Sequence, residues 1–216
     1  MENVLLSGKL SVLGLQDNFD RLVAVITDDN SLLIDGCIYV CLTQEALQST
    51  ADMLMEKRGK KHGCVKVPLA CAIYDVFFMS AEKIAIYGLI PQPVILNCEE
   101  LIPLKEAAEC YVYMNDAANK RNSVEDSYEK MKDKYLYVQG CIDVSDKMSF
   151  NVLNRKDETT GKQYQSLMAY LTYEHAVRKN ENKYPINRYK LCDLRKFFGN
   201  VIVEPDEHYW FEVRKG

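Results

Sequence analysis

Three histidines, eight cysteines and one tryptophan carry the most distinctive side-chain chemistry in this 216-residue chain. Their spacing decides what they can do. His62, His175 and His208 stand far apart, and none lies beside a Gly-x-Ser-x-Gly or Cys-Gly-rich nucleophile motif. Glu174 directly precedes His175, but adjacent helix residues point to different parts of the surface and do not form an acid–base pair. The cysteines (37, 41, 64, 71, 98, 110, 141 and 192) contain no Cys-x-x-Cys pair. Only His62, two residues before Cys64, comes near one, and that is not a zinc-finger spacing. Most of the thiols sit inside apolar runs and read as reduced, small core hydrophobes. The ten glycines are scattered, with no phosphate-cradling loop. Asp143, Asp146, Asp157 and Glu158 fall in loop and turn sequence. The expectation is a protein without catalytic residues, cofactor or metal.

What remains is recognition chemistry. If His208–Arg214 is a strand, Tyr209, Phe211 and Val213 take the core face. Trp210 then shares the opposite face with His208, Glu212 and Arg214. A lone tryptophan on a charged face has the character of a binding hot spot, unless a helix covers it. A second candidate is the loop Tyr87–Pro93, whose prolines stiffen it and which would present Tyr87, Leu89 and Ile90. Tyr87, Leu89, Ile90, Trp210 and His208 are therefore the candidate protein interface. The run Lys57-Arg58-Gly59-Lys60-Lys61-His62 makes Lys57, Arg58, Lys60 and Lys61 candidate phosphate contacts. The same cations also suit a solvated helix C-terminus.

Composition narrows the class. The chain is 48% hydrophobic and carries a net charge of −4, which allows real cores but is too mild to mark a nucleic-acid binder. Residues 1–20 show no basic region before an apolar stretch, so no signal peptide is expected. No apolar run approaches the roughly 20 residues of a membrane helix. A cytoplasmic protein without membrane attachment is expected, as a monomer or homodimer.

The elements that must position these groups follow from periodicity. Residues 3–15 read as a strand broken at Gly8-Lys9, and Asn18–Thr27 as a short helix, although Val23, Val25 and Ile26 would suit a strand as well. Leu32–Leu42 is a strand or strand pair bent at Asp35-Gly36. Thr43 caps a helix whose stripe is Leu47, Ala51, Leu54 and Met55 and whose stop is Gly59. A strand at Cys64–Leu69, a short helix at Tyr74–Phe78 and strands at Ile84–Tyr87 and Val94–Leu96 follow. Pro103 suits the first turn of a long helix. Ser123 and Asp126 resemble a capping box. Strands at 135–153 and Tyr164–Leu171, a turn at Lys156–Lys162, helices at Thr172–Lys179 and Cys192–Phe198 and a hairpin around Pro205-Asp206-Glu207 complete the chain.

Two halves match in order. Leu5–Val12 aligns with Tyr137–Val144, Leu42–Ala46 with Leu171–Ala176, Phe77-Phe78 with Phe197-Phe198, and Pro91 with Pro205. This predicts a mixed α/β fold of two related sheet-plus-helix units: residues 1–114, a polar helical linker 115–134, and a shorter unit 135–216. The first copy, over roughly residues 35–105, resembles the N-terminal domain of SseB-type (enhanced serine sensitivity) proteins. The resemblance is carried by Leu42-Thr43-Gln44-Glu45-Ala46-Leu47 opening a helix after an apolar strand, by Val65–Leu69, and by the Gly88…Pro91…Asn97 segment. It departs from that pattern where Cys98 replaces the usual proline after Asn97. The resemblance implies a small α/β interaction module of the bacterial cytosol, in settings such as immunity proteins against toxins. Together with the lack of a catalytic constellation, it leads to the expectation of a non-catalytic protein that binds another protein as an adaptor, an immunity factor or an inhibitor such as phages deploy against bacterial defence. The alternative is a nucleic-acid-associated protein using Lys57–His62 and Lys120-Arg121. A remote third reading is an enzyme with an unrecognised carboxylate or cysteine site.

Overall fold

The computed structural model describes residues 12–142 and 148–214. The expected strand at residues 3–15 lies almost wholly outside them, as does most of the Leu5–Val12 match. The chain forms two compact units, Met1–Glu109 and Cys110–Gly216. Each holds one mixed sheet with helices, as the α/β reading expects.

The first unit opens with a 3-10 turn, Val12–Asn18. It then runs β1 (Leu22–Thr27), β2 (Leu33–Ile34), β3 (Cys37–Cys41), α1 (Gln44–Arg58), β4 (Gly63–Pro68), α2 (Leu69–Phe78), β5 (Lys83–Tyr87) and β6 (Val94–Asn97). The sheet order is β4-β1-β3-β5-β6, with β2 hairpinned onto β3. Among the described residues only β3 and β5 are parallel neighbours in this sheet. The helix expected over Asn18–Thr27 is therefore a strand, β1. Its alternating Val23 and Val25 are buried on one face, and Ala24 and Ile26 pack on the other. β-branched side chains fit a pleated surface with neighbours on both edges, and here β3 and β4 supply them.

The Ala24/Ile26 face carries a hydrophobic cluster with α1. Ile26, Ile34, Cys41 and Leu54 are buried there, and Ala46, Leu47, Ala51, Tyr39 and Tyr87 pack around them. Met55, expected in the α1 stripe, is exposed, whereas Thr50 is buried. α1 starts at Thr43, whose hydroxyl accepts from Ala46 N at 3.1 Å, and stops at Gly59 in the left-handed region (φ 72°).

α3 (Cys98–Ala118) begins five residues before Pro103 rather than at it. Asn97 and Glu100 cap it reciprocally: Glu100 N donates to Asn97 Oδ1 and Asn97 N to Glu100 Oε2, both at 2.9 Å. That box satisfies donors which a proline start would not need satisfied, so the helix nucleates upstream and absorbs the proline in its second turn.

The second unit contains α4 (Val124–Met131), β7 (Tyr135–Ile142), β8 (Met148–Phe150), β9 (Val152–Lys156), β10 (Gln163–Tyr170), α5 (Tyr173–Arg178), β11 (Ile186–Lys190), α6 (Leu191–Phe198), β12 (Val201–Val203) and β13 (Phe211–Val213). The Ser123–Asp126 capping box is present at the start of α4. The polar stretch 115–134 holds this helix, which buries Ser127, Tyr128 and Met131 and packs near β13. The sheet order is β11-β7-β10-β12-β13, with β8 paired to β7 and β9 to β10. Again one neighbouring pair, β10 and β12, is parallel.

The two sheets thus share strand order and direction, with β1, β3, β4, β5 and β6 answering to β7, β10, β11, β12 and β13. Phe77-Phe78 and Phe197-Phe198 close corresponding helices, and Pro91 and Pro205 lie in corresponding loops. One match shifts: the counterpart of β7 is β1, not Leu5–Val12. The two helix starts agree most closely. Thr172 caps α5 with φ −128° and ψ 157°, against −129° and 161° at Thr43, and its hydroxyl accepts from His175 N. Removing either cap hydroxyl, as Thr43→Ala or Thr172→Ala, is expected to cost about 1 kcal/mol in urea unfolding.

Candidate functional site

The Trp210 segment delivers a groove within the second unit. β13 covers only Phe211–Val213, so His208 and Trp210 precede the strand rather than belong to it. The expected sidedness still holds. Tyr209, Phe211 and Val213 are buried, whereas Trp210 is 45% exposed. Met114, Ala117, Ala118, Val124, Trp210 and Phe211 form the apolar lining of a groove of about 810 Å³, to which His208, Glu125, Glu212 and Arg214 add polar groups. The two alanines keep this part of α3 low. Val124 opposite them is itself exposed.

The charged wall of the groove is held in place by its own ion pairs and hydrogen bonds. Arg214 pairs with Glu212 at 3.0 Å and Asp157 at 2.9 Å, and its guanidinium lies 4.5 Å from the Tyr164 ring centre. Glu212 also accepts from Ser166 Oγ at 2.6 Å and Tyr164 Oη at 3.1 Å. Backbone and hydroxyl hydrogen bonds from Thr160 hold the Asp157 carboxyl below its usual range, so it stays ionised for Arg214. Arg195 grips Glu125 through both terminal nitrogens, at 2.9 and 3.2 Å. Arg155 stacks 4.9 Å from the Trp210 ring centre and fixes one side of the indole. A wall already ordered loses little further side-chain entropy on binding.

The other candidates lie in the first unit and are differently placed. Tyr87 faces inward, stacked 6.3 Å from Tyr39 in the α1 cluster, and burial raises its phenol pKa. Leu89 lines a small cavity with Leu15, Arg21, Leu42, Leu69 and Ile86. Ile90 is the exposed member of the three.

The basic run is largely answered by carboxylates. Arg58 pairs with Asp28 at 3.0 Å and Asp35 at 3.3 Å, Lys60 with Asp28 and Asp29, and Lys57 with Asp35 at 3.8 Å. The Lys60 hydrogen bond holds the Asp28 carboxyl below its usual range. A phosphate would compete with these acids for the same cations.

All eight cysteines are thiols rather than disulfides. Cys37, Cys41 and Cys110 are buried, and burial raises the thiol pKa of the first two and keeps them inert. Cys64, on β4, is exposed instead. Among the described residues no helix is long and apolar enough to cross a membrane.

One cluster escaped the sequence reading. His175, on α5, places Nδ1 2.9 Å from Glu204 Oε2, and both residues are only 1% exposed. Glu204 Oε1 accepts from Leu171 N at 2.8 Å. Glu204 holds a left-handed backbone (φ 51°), a conformation uncommon for side chains other than Gly, Asn and Asp. Glu207 completes a trio in which one ligand-type atom from each residue lies within 4.8 Å of the others. Twenty-nine positions separate His175 from Glu204, and no local motif announces the pairing. The only local signal is Glu-Pro-Asp-Glu in a hairpin loop.

No protein-family model, curated protein or solved structure matches the chain.

Proposed function

We propose that the chain is a non-catalytic, cytoplasmic protein-binding module whose second unit seats an apolar side chain of a partner protein in the Trp210 groove. The observation that carries this reading is an exposed tryptophan over an apolar floor, beside arginines and glutamates already locked in pairs. Aromatic anchors surrounded by ordered polar groups dominate protein interfaces. The occupant is a short segment of another protein with an apolar anchor residue that packs against Trp210, Val124 and Ala118. An adaptor, immunity or inhibitor role fits such a groove, and the resemblance of the first copy to SseB-type domains points the same way.

The test is parallel affinity capture from bacterial lysate with the wild-type chain and Trp210→Ala, washed at low and moderate salt, followed by affinity measurement on the captured partner. A stoichiometric protein held through both washes by the wild type should bind the variant roughly 30-fold more weakly, corresponding to about 2 kcal/mol for an interface anchor. Equal binding by the two would refute the groove. Nucleic acid lost at moderate salt would instead support the Lys57–Lys61 reading.

A further inference from the structure

We infer that the second unit binds a divalent transition-metal ion through His175, Glu204 and Glu207. This inference does not rest on the groove. When the units are aligned on their cap threonines, Ala46 corresponds to His175. Val40 pairs with Ile86 and Cys41 with Tyr87 in the first sheet. Ala169 pairs with Val203 in the second, which sets Tyr170 beside Glu204. Val25 pairs with Val40, and Val138 with Ala169, so Ile26 corresponds to Gln139.

Ile26, Cys41, Ala46 and Tyr87 all belong to the hydrophobic cluster beneath α1. Their counterparts are Gln139, Tyr170, His175 and Glu204, and each of these four is 0–1% exposed. The fold therefore closes this layer with apolar side chains in one copy and builds it from polar ones in the other. Nothing in the sheet topology requires the polar version.

The layer is largely hydrogen-bonded, with one exception. Gln139 Nε2 donates to Ala176 O at 2.8 Å, and its Oε1 accepts from Asn151 Nδ2 at 2.7 Å. The Tyr170 hydroxyl is buried and, among the described residues, makes no hydrogen bond within 3.5 Å. The Gln139 amide bonds it only at longer reach, and the Asp206 and Glu204 carboxylates lie close enough to act on it. A buried hydroxyl so weakly satisfied beside two carboxylates is a group that a bound ion or its water would satisfy.

The trio has the right donors for such an ion. One imidazole nitrogen and two carboxylates suit Zn²⁺ and its neighbours. The Leu171 amide on Glu204 Oε1 is the kind of outer hydrogen bond that orients a ligand. His175 Nδ1 and Glu204 Oε2 lie 2.9 Å apart, at hydrogen-bond distance, so an ion bound by both would displace the proton between them. When the ion binds, that proton leaves to solvent, the imidazole is neutral, and the two carboxylates balance a dication. Glu207 is only half-buried and marks the solvent side.

The test is Zn²⁺ titration of the chelator-stripped full chain, followed by calorimetry and thermal melting. The expected result is one equivalent bound and a raised Tm, with Mn²⁺ binding more weakly. Glu207→Gln, at the half-buried position, should weaken Zn²⁺ binding by about tenfold to a hundredfold and shrink the rise in Tm that Zn²⁺ produces over the variant's own metal-free Tm. The pair His175→Ala with Glu204→Gln should abolish it. No Zn²⁺ binding, or binding that Glu207→Gln leaves intact as it would for an ion held near His62 and Cys64, overturns the assignment.

Discussion

His175→Ala is expected to destabilise the second unit by about 3–5 kcal/mol, because it strips a buried carboxylate of its imidazole partner. Glu204 is 1% exposed, with Oε1 accepting from the Leu171 amide and Oε2 facing His175. The carboxylate must then stay charged in a poorly solvated place or take up a proton, and either course costs free energy at neutral pH. The partner variant separates charge from packing. Adding Glu204→Gln to His175→Ala removes the charge and keeps an acceptor for Leu171 N, so the double variant should recover about 2 kcal/mol or more. Urea unfolding with chelator present, followed through the single tryptophan, Trp210, reads both values. A loss under about 1 kcal/mol for His175→Ala would mean that water reaches the pair freely. The first unit provides the rationale for the rescue, since Ala46 stands at the corresponding position without difficulty.

How much of this could be read from the sequence depended on how local each feature is. The caps at Thr43 and Thr172 and the box at Ser123–Asp126 were legible because each is settled within four residues. The sidedness of Tyr209, Phe211 and Val213 was legible because alternation needs no knowledge of the partner strand. β1 was misread because Phe19, Leu22, Val23 and Ile26 satisfy a helical period while Val23 and Val25 satisfy a strand period. Pairing with β3 and β4, which lie many residues away, decided between them.

The same limit explains the basic run. Lys57, Arg58 and Lys60 look like free cations in the sequence, and only the turns at Asp28-Asp29 and Asp35 bring their counter-ions. The polar layer under α5 was out of reach for a stronger reason. Gln139, Tyr170, His175 and Glu204 come from β7, β10, α5 and the end of β12, and strand register alone brings them together. The internal repeat, three of whose four sequence matches fall on corresponding elements, then shows the layer to be unusual, because it supplies the apolar version for comparison.

Gly140→Ala should be the most damaging small substitution in the second sheet, at about 3 kcal/mol. Gly140 sits in β7 at φ 148°, opposite Phe150 of β8. A Cβ there would meet Ser149 O at 2.2 Å and Phe150 Cα at 2.6 Å. Both are backbone atoms, so no rotamer change relieves the clash, and β7 must part from β8. The local bonds resist that movement. Gly140 N donates to Pro185 O at 2.8 Å, and Asn187 Nδ2 donates to Gly140 O at 2.6 Å. Phe150 in turn packs edge-on against Phe198, 4.8 Å between ring centres. A shift of β8 therefore loosens the end of α6 as well. Gly59→Ala is the matched control, since Gly59 also has positive φ (72°) but nothing lies within 4 Å of its Cβ position. It should lose only about 1 kcal/mol, the conformational cost alone. Paired urea unfolding curves measure the difference, and hydrogen exchange should show protection lost first in the amides of β7 and β8. Equal losses for the two variants would show that β8 yields without resistance and that the β7–β8 contact does not stiffen this sheet.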